Sequence, residues 1–157
     1  MNFLAPEATD VTGMVNMEAA ELEKALGISL TKNTDMAKRV RQYSKDEIST
    51  DSADGIGVVY LGNRQVGLHI DDRKYSMFGL CIGYSEISVH KKITYEYESF
   101  SDVISDGMQS FTDVTYFFNK KRNDCVVVIY NNYSHRVAAL TYYNDLNKMT
   151  ERLSKVR

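Results

Sequence analysis

His69-Ile70-Asp71-Asp72 is the tightest grouping of metal-ligating residue types in the chain. Strand alternation would send His69 and Asp71 to one side. The close ligand spacing of C-x-x-C or H-E-x-x-H is missing, so a strand end running into a polar turn accounts for the cluster, and no metal site is expected. Nucleophilic chemistry needs a Ser or Cys beside a base. Cys81 and Cys125 with His90 or His135 are the raw material, but no G-x-S-x-G turn presents a nucleophile. Both cysteines lie in apolar surroundings, which suits buried free thiols or one bridge and no disulfide framework. Gly55-Ile56-Gly57 lacks the third glycine and the helix of a dinucleotide loop, so no cofactor is expected. Glu96, Glu98, Asp102 and Asp106 gather carboxylates in one segment that reads as exposed loop. The chemistry expected from this inventory is non-enzymatic.

Composition narrows the partners. A formal charge of −2 supplies no basic field for nucleic acid or an anionic membrane. Lys38-Arg39-Val40-Arg41 and Lys120-Lys121-Arg122 are short solvated runs. The longest apolar stretch, Cys125 to Tyr130, suits a strand and not a membrane span. With 43% hydrophobic residues and one proline, the 157 residues are expected to fold as a single compact unit, 1–157.

The elements that must position these residues fall into two series. At an offset of about 70 residues, Gly13 falls on Gly83, Asp54 on Asp124, Val58 on Val128 and Tyr60 on Tyr130. One inserted residue then brings Gln65-Val66-Gly67 onto Arg136-Val137-Ala138. The spacing predicts two repeats, 11–75 and 76–157.

In the first, Asn16 caps a helix carrying Val15, Ala19, Leu22 and Leu26, stopped by Gly27. A second helix runs from Asn33 or Thr34 to Arg41, and Ser44 to Asp54 reads as loop. Gly55 to Leu61 and Arg64 to Ile70 form a hairpin about Gly62-Asn63. In the second, Ser85 caps a helix from Glu86 to Lys92, Thr94 to Tyr97 adds a strand, and Glu98 to Ser110 loops. Strands follow at Val114 to Phe118, Cys125 to Tyr130 and Val137 to Tyr143, then a final helix from Leu146 to Leu153 capped by Asp145. The fold class expected is α+β: tandem helix-plus-antiparallel-sheet repeats with the helices on one face of the sheet.

A tight Gly62-Asn63 turn sets Val59 opposite Val66, Val58 opposite Gly67 and Ile56 opposite His69. Leu61, Val59, Val66, Leu68 and Ile70 then form the core face. The outer face holds Tyr60, Gln65 and His69, joined by Tyr130, Arg136 and Tyr142 from the second repeat. Tyr and Arg over apolar residues supply contact area with hydrogen bonds, so these six are the expected binding residues for a protein partner.

Gly13-Met14-Val15-Asn16, Phe78-Gly79-Leu80-Cys81-Ile82-Gly83 and the closing triplets 65–67 and 136–138 give a layout that resembles the β-lactamase-inhibitor-protein-like fold and related tandem-repeat domains of bacterial envelope proteins. The resemblance implies a secreted or surface-tethered protein, its signal removed, that acts as an interaction module. It does not imply lactamase inhibition. The family's disulfides within each repeat have no counterpart here, since Cys81 and Cys125 both fall in the second. Two alternatives stand beside this reading: a small-ligand binder or enzyme with its site between the repeats, and a cytoplasmic immunity or antitoxin-type inhibitor if Met1 is the true start.

Overall fold

The computed structural model describes residues 7–41, 48–105 and 111–145. Along the chain run β1 (Thr9–Asp10), α1 (Ala19–Leu26), β2 (Thr31–Lys32), α2 (Thr34–Arg41), β3 (Ser49–Ala53), β4 (Ile56–Leu61), β5 (Arg64–Ile70), β6 (Tyr75–Met77), β7 (Leu80–Cys81), α3 (Glu86–Lys92), β8 (Glu98–Ser105), β9 (Phe111–Asn119), β10 (Asp124–Tyr130) and β11 (Val137–Tyr143). An eight-stranded antiparallel sheet takes the order β2-β3-β4-β5-β11-β10-β9-β8. Each half of the chain thus contributes a four-stranded meander, and the last strands of the two pair with each other. A small sheet of β1, β6 and β7 stands apart. The fold is α+β, as the alternation of helical and period-two patterns predicts.

Local signals explain most boundaries. Gly27, at φ 66°, closes α1 by donating its N–H to the Glu23 carbonyl. Asn33 caps α2, its Oδ1 accepting the Met36 N–H at 2.9 Å, and Ser85 caps α3 through the Ser88 N–H at 3.3 Å. Asn16 does not cap α1, which starts later, after Glu18. Two expected loops contain strands: Ser49–Ala53 pairs with β4, and Glu98–Ser105 pairs with β9. Thr94 to Tyr97 is linker, not strand. The expected helix from Leu146 to Leu153 lies outside the described residues.

Register is where the structure departs most from expectation. Tyr60 faces Gln65 as expected, but Val66 is bulged out of the pairing, so Val59 faces Gly67, Val58 faces Leu68 and Ile56 faces Ile70. A second bulge lies in β10–β11, where Ile129 faces Ala139 and Tyr130 faces Val137, leaving Ala138 over. Past each bulge the strand exchanges its faces.

One face of the large sheet therefore carries Ile56, Val58, Leu68, Ile70, Val128, Tyr130, Leu140 and Tyr142, packed with Leu22 of α1, Val89 of α3 and Met77 of the small sheet. The other carries Val59, Val66, Tyr116, Phe118, Cys125, Val127 and Tyr143 with Met36 and Val40 of α2. The expectation of helices on a single face is corrected: α2 sits on the side opposite α1 and α3. Gly57 makes room for it, since a Cβ there would lie 2.2 Å from the Met36 sulfur.

Candidate functional site

The expected outer face is in part interior. Tyr130 and Tyr142 are 2% and 3% exposed, beneath the α1/α3 layer. Tyr60 is half-buried against the same core, and Gln65 donates its amide N–H to the Met17 carbonyl at 2.7 Å. His69 lies on the opposite side of the sheet because of the Val66 bulge, and Arg136 is exposed, reaching the Gly83 carbonyl at 3.0 Å. The structure does not bring the six together, and Tyr142 lines a polar cavity.

That cavity, of about 470 Å³, opens where the segment after β1 meets the second half of the chain. At its base is Asp124, the first residue of β10, 7% exposed. The turn before it is fixed by the Asn119 side chain accepting the Arg122 N–H at 3.0 Å and by Asn123 in the left-handed region at φ 58°. The turn presents Arg122 and Asp124 side by side.

Tyr95 donates its hydroxyl to Asp124 Oδ1. Asp124 Oδ2 accepts from the Tyr142 hydroxyl at 3.0 Å and from Arg122 Nε at 3.3 Å. Asn16 extends the network, its Nδ2 donating to the Tyr142 oxygen at 3.3 Å. The Arg122 guanidinium lies over the Tyr95 ring at 4.8 Å, and Glu96 reaches Arg122 at 4.0 Å. Phe78 closes the apolar side, its ring centre 5.2 Å from Tyr95 and 5.8 Å from Tyr142. Phe78 is anchored by its N–H on the Thr12 hydroxyl at 2.7 Å and its carbonyl on the Thr94 N–H at 2.9 Å.

Burial raises the Tyr142 phenol to about 12, with the Asp124 carboxylate adding to the rise and Asn16 opposing it. Tyr95 is raised by burial and then by Asp124. Both phenols therefore stay protonated near neutral pH and act as donors. Asp124 already accepts from three groups, which takes up most of its acceptor sites. Arg122, Asn16 and Glu96 also line the cavity, adding guanidinium, amide and carboxylate groups to its wall.

A second polar group lies under α2. His69 Nδ1 is 2.8 Å from the Thr141 hydroxyl and Nε2 is 3.5 Å from Asp71, which pairs with Arg39 of α2 at 3.3 Å. The order hydroxyl, imidazole, carboxylate is that of a nucleophilic triad. Thr141 is 0% and His69 1% exposed, however, so no substrate reaches the hydroxyl. Its work is to tie α2 to β5. The Asp71 carboxyl is held low first by the His69 hydrogen bond, with Arg39 assisting against burial.

A cavity of about 420 Å³ between α2 and β3 includes Lys32 and Lys38. Its inner polar groups are committed internally: Thr50 donates to the Asn33 carbonyl at 2.7 Å and Asn33 to the Ser52 hydroxyl at 2.8 Å. Cys81 and Cys125 are free thiols. Among the described residues there is no group of three or more potential metal ligands, and no helix is long and apolar enough to cross a membrane.

No family model matches the chain, and no curated protein matches it either. Among solved structures, it is similar to an extracellular protein containing a SCP domain from Bacillus anthracis str. Ames, at 10% identity and a TM-score of 0.48. The likeness covers 94% of this chain and 49% of that one, so the chain spans about half the length of its structural neighbour.

Tyr142 was reachable from sequence as one of a tyrosine-rich set. Asn16, Tyr95 and Arg122 carry no motif. Asp124 stands out only through its alignment with Asp54, and that comparison is informative: Asp54 has a 98% exposed side chain, whereas Asp124 is buried and triply bonded.

Proposed function

We propose that the protein binds a small, uncharged, hydroxyl-rich ligand of the sugar or polyol class in the cavity above Asp124. The observation that carries this reading is the convergence of Asn16, Tyr95, Arg122, Asp124 and Tyr142, drawn from four distant segments, on one cavity of about 470 Å³. That volume is within the roughly 300–1,000 Å³ of small-ligand sites. One guanidinium faces two carboxylates, Asp124 and Glu96, so an anion finds no net positive charge. A cation meets Glu96, which Arg122 already approaches at 4.0 Å, while Asp124 lies buried beneath the hydroxyls of Tyr95 and Tyr142. A hydroxyl both donates and accepts, which matches the mixture of Arg122 donors, Glu96 acceptors and the Asn16 amide, whose Nδ2 and Oδ1 each have one internal partner, Tyr142 and Asn144, and capacity for one more, and Phe78 offers an apolar patch for the C–H face of a ring.

This is the reading that puts the site between two repeats, 11–75 and 76–157: Thr12, Val15 and Asn16 come from the first and the rest of the lining from the second. Support for the duplication comes from a bulge beside each of the aligned tyrosines, Tyr60 and Tyr130, with the bulged residues, Val66 and Ala138, one place apart in the alignment of the triplets 65–67 and 136–138. An interaction module using the tyrosine face loses support, since Tyr130 and Tyr142 lie under the protein's own α1/α3 layer. An extracytoplasmic setting rests on the resemblance to envelope repeat domains.

The test is saturation-transfer NMR on the full chain with glucose, N-acetylglucosamine, maltose and inositol, beside inorganic phosphate and spermidine as charged arms. Transfer to at least one neutral compound, lost in Asn16→Ala and Glu96→Ala, is expected. Transfer to phosphate or spermidine alone, or to none of the probes, would overturn the proposal.

A further inference from the structure

We infer that β8 is a docking edge at which a second copy of this chain pairs strand to strand, extending the sheet across a twofold axis at Ser101. The two edges of the large sheet are unlike. One ends in β2, two residues long, which leaves little backbone to template another strand. The other ends in β8, eight residues long, bonded to β9 in an unbroken register from Glu98–Phe118 to Ser105–Phe111. Among the described residues no strand pairs with its outer side.

Edges are normally blunted by brevity, bulges, proline or charged side chains, lysine above all. The segment Glu98-Ser99-Phe100-Ser101-Asp102-Val103-Ile104-Ser105 has no bulge, proline or lysine, and its charges are the two acids Glu98 and Asp102. Every second residue directs its N–H and C=O away from β9, so the edge offers a ladder of alternating donors and acceptors that no described strand takes up.

The sequence of the strand selects the partner and the register. In a symmetric antiparallel pair only same-parity residues can exchange hydrogen bonds, so the axis must pass through a residue and not between two. An axis at Phe100 sets Glu98 across from Asp102, and an axis at Asp102 sets that residue across from its own copy. Like charges directly opposite are destabilising. An axis at Ser101 sets Glu98 across from Ile104, Ser99 from Val103 and Phe100 from Asp102, with no like-charge pair, and keeps the ladder from Glu98 through Ile104. An axis at Val103 also avoids the clash but pairs a shorter stretch, Ser101 to Ser105. One long register therefore pairs the strand with its own copy without setting like charges opposite each other.

The inference is independent of the ligand cavity. Light scattering on the full chain is expected to give a dimer that dissociates on dilution. Ser101→Lys, which sets two ammonium groups across the axis, is expected to be monomeric at the same concentrations with an unchanged circular dichroism spectrum. Because a lysine variant can misfold, the register is read separately by cysteine pairing in a Cys81→Ser background. Directly opposed residues have Cα atoms about 4.5–5.5 Å apart, within disulfide range. Ser101→Cys is therefore expected to form a disulfide-linked dimer on mild oxidation. Val103→Cys, four residues from its own copy at roughly 14 Å, is expected not to. A chain that is monomeric at every concentration, or one that crosslinks at position 103 in preference to 101, would overturn the inference.

Discussion

Tyr142 donates its hydroxyl to Asp124 across 3.0 Å, joining the far half of β11 to the first residue of β10 and closing the base of the cavity. The bond decides what the tyrosine is for. Its ring is 3% exposed, so it serves the interior, and its hydroxyl holds a buried carboxylate in place for the groups above it.

Tyr142→Phe keeps the ring and removes the donor. Hydrogen bonds to charged groups contribute about 1.5–3 kcal/mol. Denaturant unfolding is expected to show a loss of that order with an unchanged m-value. A variant as stable as the parent would mean that Tyr95 and Arg122 alone satisfy Asp124.

Gly67 and Gly57 separate two kinds of close approach. A Cβ on Gly67 would meet the Tyr142 carbonyl oxygen at 2.1 Å, which is backbone of the paired strand and cannot step aside. A Cβ on Gly57 would meet the Met36 sulfur at 2.2 Å, near the end of a flexible side chain. Overpacking typically costs about 1–3 kcal/mol. Gly67→Ala is expected at or above the top of that range and Gly57→Ala near the bottom, with Met36→Ala relieving the clash of the second only. Equal losses in thermal melts would contradict this distinction.

The α2 tie gives stability a pH dependence. The Asp71 carboxyl is depressed below 3.8, first by the His69 hydrogen bond. A depressed carboxyl contributes stability that is present above its unfolded pKa and is lost as pH falls through the folded one. The stability difference between the parent and Asp71→Asn is therefore expected to be full at neutral pH and to shrink below about pH 4. Urea unfolding at stepped pH measures it, and a gap that widens on acidification would refute the assignment.

The two thiols differ in access. Cys125 is 0% exposed and burial pushes its thiol well up, whereas Cys81 is half-buried in β7. A thiol reagent is expected to titrate one cysteine in the folded chain and two after unfolding. Two equivalents before unfolding would contradict the burial of Cys125.

The local elements were legible because single residues set them: Gly27 ends α1, Ser85 starts α3 and Gly62, at φ 60°, turns the β4–β5 hairpin. Register was not, because one bulged residue, Val66, leaves no mark in an alternating pattern yet moves every later side chain of β5 to the other face. Ser49–Ala53 was hidden by its polarity, its inward positions being Thr50 and Ser52 and not aliphatics. The candidate site was illegible for a different reason. Asn16, Tyr95, Arg122 and Tyr142 are brought to Asp124 by tertiary structure, and no short spacing records their meeting.

The central claim is that the cavity above Asp124 takes an uncharged, hydroxyl-rich ligand. A titration of isotopically labelled protein with maltose and with N-acetylglucosamine, followed by amide and side-chain NMR shifts, tests it most directly. Saturable shifts confined to Asn16, Tyr95, Glu96 and Arg122, including the Asn16 side-chain amide, are the result predicted. Shifts centred elsewhere, or a spectrum unmoved by either sugar, would contradict it.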